Sequence, residues 1–179
     1  MQYDLIKTYK EKTIPRLKEK FGYKSIMAVP RLVKTVINVG IGRVKDKEQK
    51  DRIENNLTII TGQKLSERPA KQSIASFKIR QGAHVGYSVT LRGKRMYAFL
   101  NKMVFVAIPR KRDFRGLDLK SIDNAGNLTL GFKDHLVFPE MIDEDVRNAF
   151  GFSVSVVTTA KSKEEAVELF KSLGFPFKK

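Results

Sequence analysis

The chain has 179 residues, a formal net charge of +16 and no cysteine, which excludes disulfides, thiolate metal ligands and a cysteine nucleophile together. Its length fits one domain, residues 1–179, and a hydrophobic content of 41% is enough to build a core. The longest apolar run, Met103 to Ile108, falls far short of the roughly 20 residues of a membrane span, and charges in the first ten residues interrupt the apolar stretch that a signal peptide needs.

The opening segment reads as helix, with Tyr3, Ile6, Tyr9 and Lys10 at helical spacing and a second piece through Leu17 and Phe21. Pro15 fits the first turn of that second piece, Thr13 its cap and Gly22 its stop. After Pro30 the run Leu32 to Val39 alternates: Val33, Thr35, Ile37 and Val39 point one way, and Lys34, Val36 and Asn38 the other. Gly40 and Gly42 close this strand. A helix follows from about Asp46 to Thr61, with Ile53, Leu57 and Ile60 as its apolar stripe and Gly62 as its end. Alternation predicts two more strands, Ser73 to Arg80 and Tyr87 to Arg92, joined by a glycine-flanked projecting loop over residues 81–86. In the second of these, Tyr87, Val89 and Leu91 face inward and Ser88, Thr90 and Arg92 outward.

From about Lys94 to Ala107 the pattern is helical again, with Met96, Phe99, Leu100, Met103 and Val106 on one face and Pro109 as the stop. A second projecting loop, residues 109–116, carries Arg110, Lys111, Arg112 and Arg115 beside Phe114. The turn Asn124 to Asn127 leads into a strand from Leu128 to Phe132. The acidic patch Glu140 to Asp145 suits a helix N-terminus. A strand from Ser153 to Thr159 precedes a last helix, Ser162 to Leu173, opened by a Ser162/Glu165 capping box and ended by Gly174. No linker divides the chain. This order predicts an α+β domain with an antiparallel or mixed sheet, helices on one face and a polar, cationic face left open.

The charge is uneven. Residues 64–115 hold 13 basic and 2 acidic side chains, whereas residues 116–179 hold 8 basic and 10 acidic ones. Charge runs often form solvated faces, but repulsion on this scale opposes folding unless a polyanion offsets it. Nucleic acid is the common polyanion. An acidic membrane surface is the rival, and it calls for a basic amphipathic helix or a lipidation signal that the sequence does not show.

Signs of catalysis are thin. Val39-Gly40-Ile41-Gly42 fails as a dinucleotide fingerprint because the third glycine position holds Lys45, and no P-loop motif exists. Asp143, Glu144 and Asp145 are consecutive and diverge around a helix axis rather than converging on metals. His84 and His135 lack partners at a recognisable spacing, and nothing supports a Ser-His-Asp triad. An RNA-acting nuclease or modifier would rest on these residues alone, and no cofactor is expected. Helix-turn-helix, zinc-finger and zipper signatures are absent, as is the aromatic RNP1 pattern, which favours shape-based binding of structured RNA over DNA modules. Lys34, Asn38, Thr90 and Arg92 would then offer charge and hydrogen bonds from one sheet face, although Asn38 at a strand end also suits a backbone-bonding role.

Several stretches resemble one family: Val36-Ile37-Asn38-Val39-Gly40-Ile41-Gly42, Ala75 through Gly82, Leu91-Arg92-Gly93, Ile108-Pro109-Arg110, Arg112 through Leu117, and Ala166 to Phe175. In this order they are similar to bacterial large-subunit ribosomal protein five, the 5S rRNA-binding protein of the central protuberance. The resemblance implies a non-catalytic α+β protein of the cytoplasmic ribosome that binds 5S rRNA through its sheet. It implies 5S contacts at Asn38, Gln63, Thr90 and Arg92, which Lys34 joins by sharing the strand face of Asn38. It further implies that the loop Gln81, Gly82, Ala83, His84, Val85 and Gly86, with Lys78 and Arg80 at its base, reaches P-site tRNA. The loop bearing Arg110, Lys111, Arg112 and Arg115 would face the small-subunit head and its protein thirteen. 23S rRNA and other central-protuberance proteins complete the expected partners.

Overall fold

A computed structural model of the chain describes residues 4–44, 46–112, 114–142 and 144–178. Tyr3, Lys45, Asp113 and Asp143, named above, lie outside the described residues. Five strands form one antiparallel sheet in the order β2-β3-β1-β5-β4, with β1 Leu32–Gly40, β2 Ser66–Pro69, β3 His84–Leu91, β4 Leu128–Phe132 and β5 Phe152–Thr158. The helices α1 Leu5–Thr8, α2 Ile14–Phe21, α3 Lys47–Thr61, α4 Gly93–Lys102 and α5 Lys163–Ser172 complete the α+β architecture.

Strand alternation decides the core. Thr35, Ile37 and Val39 of β1 are buried, as are their cross-strand partners Leu91, Val89 and Tyr87 on β3 and Val156 and Val154 on β5. Leu128, Leu130 and Phe132 of β4 extend the same layer, which the helices cover with Leu57, Ile60, Met96, Phe99, Leu169 and Phe170. Val33 departs from the expected alternation. The register shifts between Leu32 and Lys34, and this bulge turns Val33 out to solvent.

The expected break in the N-terminal helix is absent. α1, a π turn over Tyr9–Thr13 and α2 run on without interruption, and Thr13 has helical backbone angles and makes no cap bond. Its buried hydroxyl accepts a hydrogen bond from Ser172 instead. The wide π turn stands immediately before Pro15, whose ring would press on the Glu11 carbonyl in a regular α-turn. A second π turn, Met103–Ala107, continues α4 and displaces its stripe, so that Val104, Ala107 and Ile108 are buried and Val106 only half-buried.

Two strand expectations change. Residues 73–80 are not a strand: Ala75–Phe77 form a 3-10 turn, Lys78 adopts a left-handed φ of 54°, and Ile74 and Ile79 close the small loop on each other. Their alternation packs against no layer, since Phe77 is 70% exposed. The edge strand is β2, whose Ser-Glu-Arg-Pro sequence carries no apolar signal because an edge is kept polar and proline-marked to block further pairing. The acidic patch likewise starts no α-helix among the described residues; the 3-10 turn Pro139–Met141 overlaps its beginning, the 3-10 turn Val146–Asn148 follows it, and Glu140 pairs with Lys102. The last helix matches its expectation: the Ser162 hydroxyl accepts from the Glu165 N–H, and the Glu165 carboxylate accepts from the Lys161 N–H at 2.9 Å.

Thr35 is fully buried and its hydroxyl has no hydrogen-bond partner among the described residues. Thr35→Val removes that unmet group at nearly constant volume, so the urea midpoint should rise by the equivalent of about 1 kcal/mol at unchanged slope. A lower midpoint would show that the hydroxyl is satisfied in solution.

Candidate nucleic-acid interface

The alternation that fills the core also defines the opposite face. Asn38 lies across from Ser88 on one side and Ser153 on the other; Ser66 lies beyond Ser88, and Gly131 beyond Ser153. The next row reads Thr90, Val36, Ser155 and Thr129, and Lys34 pairs with Val157. Toward the other end, Arg68, Gly86 and Gly40 form a row of which two members lack side chains. Gly86 has no alternative here, because a Cβ would lie 2.7 Å from the Val39 carbonyl oxygen. The helices among the described residues pack on the opposite, core side. Among the described strand residues this polar face carries hydroxyls, an amide and cations together with Val36 and Val157, and no acid; Ser88 is itself buried.

Lys34, Asn38 and Thr90 therefore share one surface. Arg92 follows β3 with extended backbone and an exposed side chain, two residues beyond Thr90 and on the same parity. Gln63, just past the α3 C-terminus, joins them. Its side-chain N–H donates to the Thr90 carbonyl at 3.3 Å, while its Oε1 accepts from the Arg95 guanidinium at 3.4 Å. Ser88 reads as outward-facing, whereas the sheet residues Ser66, Arg68, Thr129, Ser153 and Ser155 are not placed on this face from sequence. The Ser153-Val154-Ser155 alternation is legible, but only the strand register shows that it lies beside Asn38.

The six residues expected to form the first loop, 81–86, and the two at its base, Lys78 and Arg80, divide between two elements. His84, Val85 and Gly86 belong to β3; His84 bonds to the Gly86 carbonyl oxygen at 3.0 Å and stacks edge-on against Tyr87. The projection instead runs between Ala70 and Ala83, which close its base through a 2.8 Å backbone bond. It carries Lys78, Arg80, Gln81, Gly82 and Ala83, all exposed.

The second loop lies beside the β4 edge. The Lys111 ammonium donates to the Gly131 carbonyl at 3.3 Å and sits over the Phe132 ring, while Arg110, Arg112 and Arg115 are exposed. A groove of about 860 Å³ separates Arg110 and Arg112 from Lys133, Leu136 and Val137. The C-terminal segment clamps the loop base, with Leu117 donating to Pro176 at 2.7 Å and Lys178 to Leu117 at 2.9 Å. Gly116, at φ 99°, permits that approach, since a Cβ would stand 2.6 Å from the Lys178 nitrogen.

The residues with catalytic potential are occupied structurally. Glu144 accepts from the Asn56 amide at 2.8 Å, and Asp145 accepts from the Arg147 N–H of its own turn. His135 is fully buried, stacked 4.1 Å from Phe150, with its Nδ1 accepting the Phe150 N–H. Burial holds its pKa below the usual imidazole value, an effect that Glu144 and Asp134 oppose. The unfolded chain thus binds this proton more readily below about pH 6.5, and stability falls as pH falls through that window. Urea midpoints between pH 7 and 5 should decline less steeply for His135→Gln than for the parent; parallel slopes would remove His135 as the cause.

Two family models match the chain: "Ribosomal protein L5" over residues 25–80 and "ribosomal L5P family C-terminus" over residues 84–177. The boundary between them falls beside β3, yet β1 and β2 from the first segment pair with β3 and β5 from the second, so both build one sheet. Relatives named large ribosomal subunit protein uL5 are similar over nearly the whole length. Identity is 48% over 174 residues with the Halothermothrix orenii protein, covering 97% of each chain. It is 52% over 170 residues with that of Ruminiclostridium cellulolyticum, covering 94% of each, and 48% over 172 residues with that of Streptococcus pyogenes serotype M49, covering 96% of each. The chain belongs to the ribosomal protein L5 family, and is accordingly a structural protein of the large subunit of the cytoplasmic bacterial ribosome rather than an enzyme.

Proposed function

We propose that the open sheet face is the rRNA-binding surface and that its ligand is 5S rRNA, which the protein helps to hold in the central protuberance together with 23S rRNA and neighbouring proteins. One observation carries this reading: Ser66, Ser88, Asn38 and Ser153 lie in register across four strands, flanked by Thr90, Ser155 and Thr129, with Lys34, Arg68 and Arg92 around them and no acid among them. The shallow minor groove of an A-form helix displays 2′-hydroxyls and sugar edges, which short polar side chains can reach. The cations meet phosphates and make affinity depend on salt. With no exposed aromatic ring on the face, the sheet itself recognises RNA by shape and sugar contacts rather than by stacking bases on aromatic side chains.

The two projections extend this reading. The loop between Ala70 and Ala83 would reach P-site tRNA with Lys71, Lys78 and Arg80, while Arg110, Arg112 and Arg115 would face the small-subunit head and its protein thirteen. Both assignments draw on the family resemblance together with the exposure and charge of the loops.

Binding to 5S rRNA should weaken steeply with salt. Lys34→Ala and Arg92→Ala should each reduce the slope of log K against log salt by about one unit. Asn38→Ala should weaken binding at every salt concentration by about 1–3 kcal/mol with the slope unchanged. Filter-binding titrations from 50 to 300 mM salt read both effects, and parent-like values for all three variants would remove the sheet face from the interface.

A further inference from the structure

Most large apolar side chains of this protein are buried, but two neighbours are not: Ile26 is 59% exposed and Met27 88%. They project from the 3-10 turn Ile26–Ala28, which is held on both sides. The Ser25 hydroxyl accepts the Met27 N–H at 3.2 Å, and the Ala28 and Val29 N–H groups donate to Ser25 and Ile26. Val29 and Pro30 are buried directly behind the turn, and Arg31 is tied to Thr159 at the end of β5 by two hydrogen bonds. The apolar pair is therefore presented on a fixed support, at the end of β1 where Lys34 opens the polar face.

The surrounding charge identifies the occupant. From Lys20 to Lys45 the sequence contains no acid. The acids that approach from α5 are engaged elsewhere: Glu168 pairs with Lys20 and Arg16, and the Glu165 carboxylate accepts from the Lys161 backbone N–H. Lys24, Arg31 and Lys34 make no ion pair among the described residues. Two side chains offer far less than the roughly 800 Å² per partner of a stable protein interface. An apolar tip amid cations instead suits a nucleobase flanked by phosphates, against which isoleucine and methionine serve as wedges and the polarizable thioether packs on the ring face.

The geometry points to Ile26 and Met27 as an apolar wedge that packs against a nucleobase of the RNA lying on the sheet face. This inference rests on the sheet reading above and adds to it a contact insensitive to salt. Met27 reports on the contact directly, because the other described methionines, Met96, Met103 and Met141, are at most 3% exposed and serve as internal controls. Sulfoxide formation at Met27 under dilute peroxide is followed by peptide mass spectrometry in the free protein, with deproteinised 5S and 23S rRNA, and in assembled large subunits. Purified rRNA alone should slow Met27 oxidation about tenfold or more, and the double variant Ile26→Ser/Met27→Ser should bind rRNA about tenfold more weakly at unchanged salt slope. A parent-like thermal melt confirms that this variant is folded. If rRNA binds and Arg92→Ala still lowers the slope, yet Met27 oxidises at its free rate, the wedge is wrong and the sheet reading stands. Protection seen only in the assembled subunit assigns the turn to a protein neighbour and overturns the proposal. Failure of purified rRNA to bind at all overturns both readings.

Discussion

β1 is hydrogen-bonded along both edges, to β3 and to β5, and this two-sided pairing determines which side chains meet the helices and which meet water. Because successive residues alternate across a sheet, burying Thr35, Ile37 and Val39 forces Lys34, Val36 and Asn38 to the other side. A one-residue slip would exchange the two sets, so packing of the core also fixes the polar face. Pairing on both sides takes up the backbone groups along β1, so that there the side chains are what the face offers a ligand. Their small size, with glycine at positions 40, 86 and 131, lets a flat polymer surface approach closely.

The edges and ends of the sheet are treated differently from its centre. β2 closes one edge with charged residues and Pro69, while Lys111 reaches across to Gly131 at the other. Apolar residues are exposed at both ends of the central strands: Ile26 and Met27 before β1, and Ile74 and Phe77 in the projection that leads into β3. As a ribosomal protein the chain binds rRNA, and a net charge of +16 gives it a physical reason to need a polyanion, since the repulsion that opposes the compact state is relieved when phosphates approach.

The strongly periodic elements were legible in the sequence. α3, α5, β1 and the inward and outward residues of Tyr87 to Arg92 follow from spacing alone, as does the neighbourhood of Lys34, Asn38 and Thr90. Errors arose where local pattern and tertiary environment part. Residues 73–80 alternate like a strand but have no layer to pack on, and β2 pairs without any apolar signature. Thr13 resembles a cap because a π turn before Pro15 has no sequence signal that separates it from a helix break. The serines and threonine that complete the polar face come from strands far apart in sequence, and no local pattern places them beside Asn38. Met27 escaped notice because a single methionine gives no hint of its exposure.

In the proposed complex RNA lies across the polar face of the sheet. Amide and side-chain NMR of the isotopically labelled protein during titration with 5S rRNA tests this most directly, because it maps contacts at the resolution of single strands. Signals from Asn38, Gln63, Thr90, Ser153 and Ser155 should shift or broaden first while those of the outer faces of α2 and α5 stay in place. Perturbation confined to the helical side, with the open strands unchanged at saturation, would contradict it.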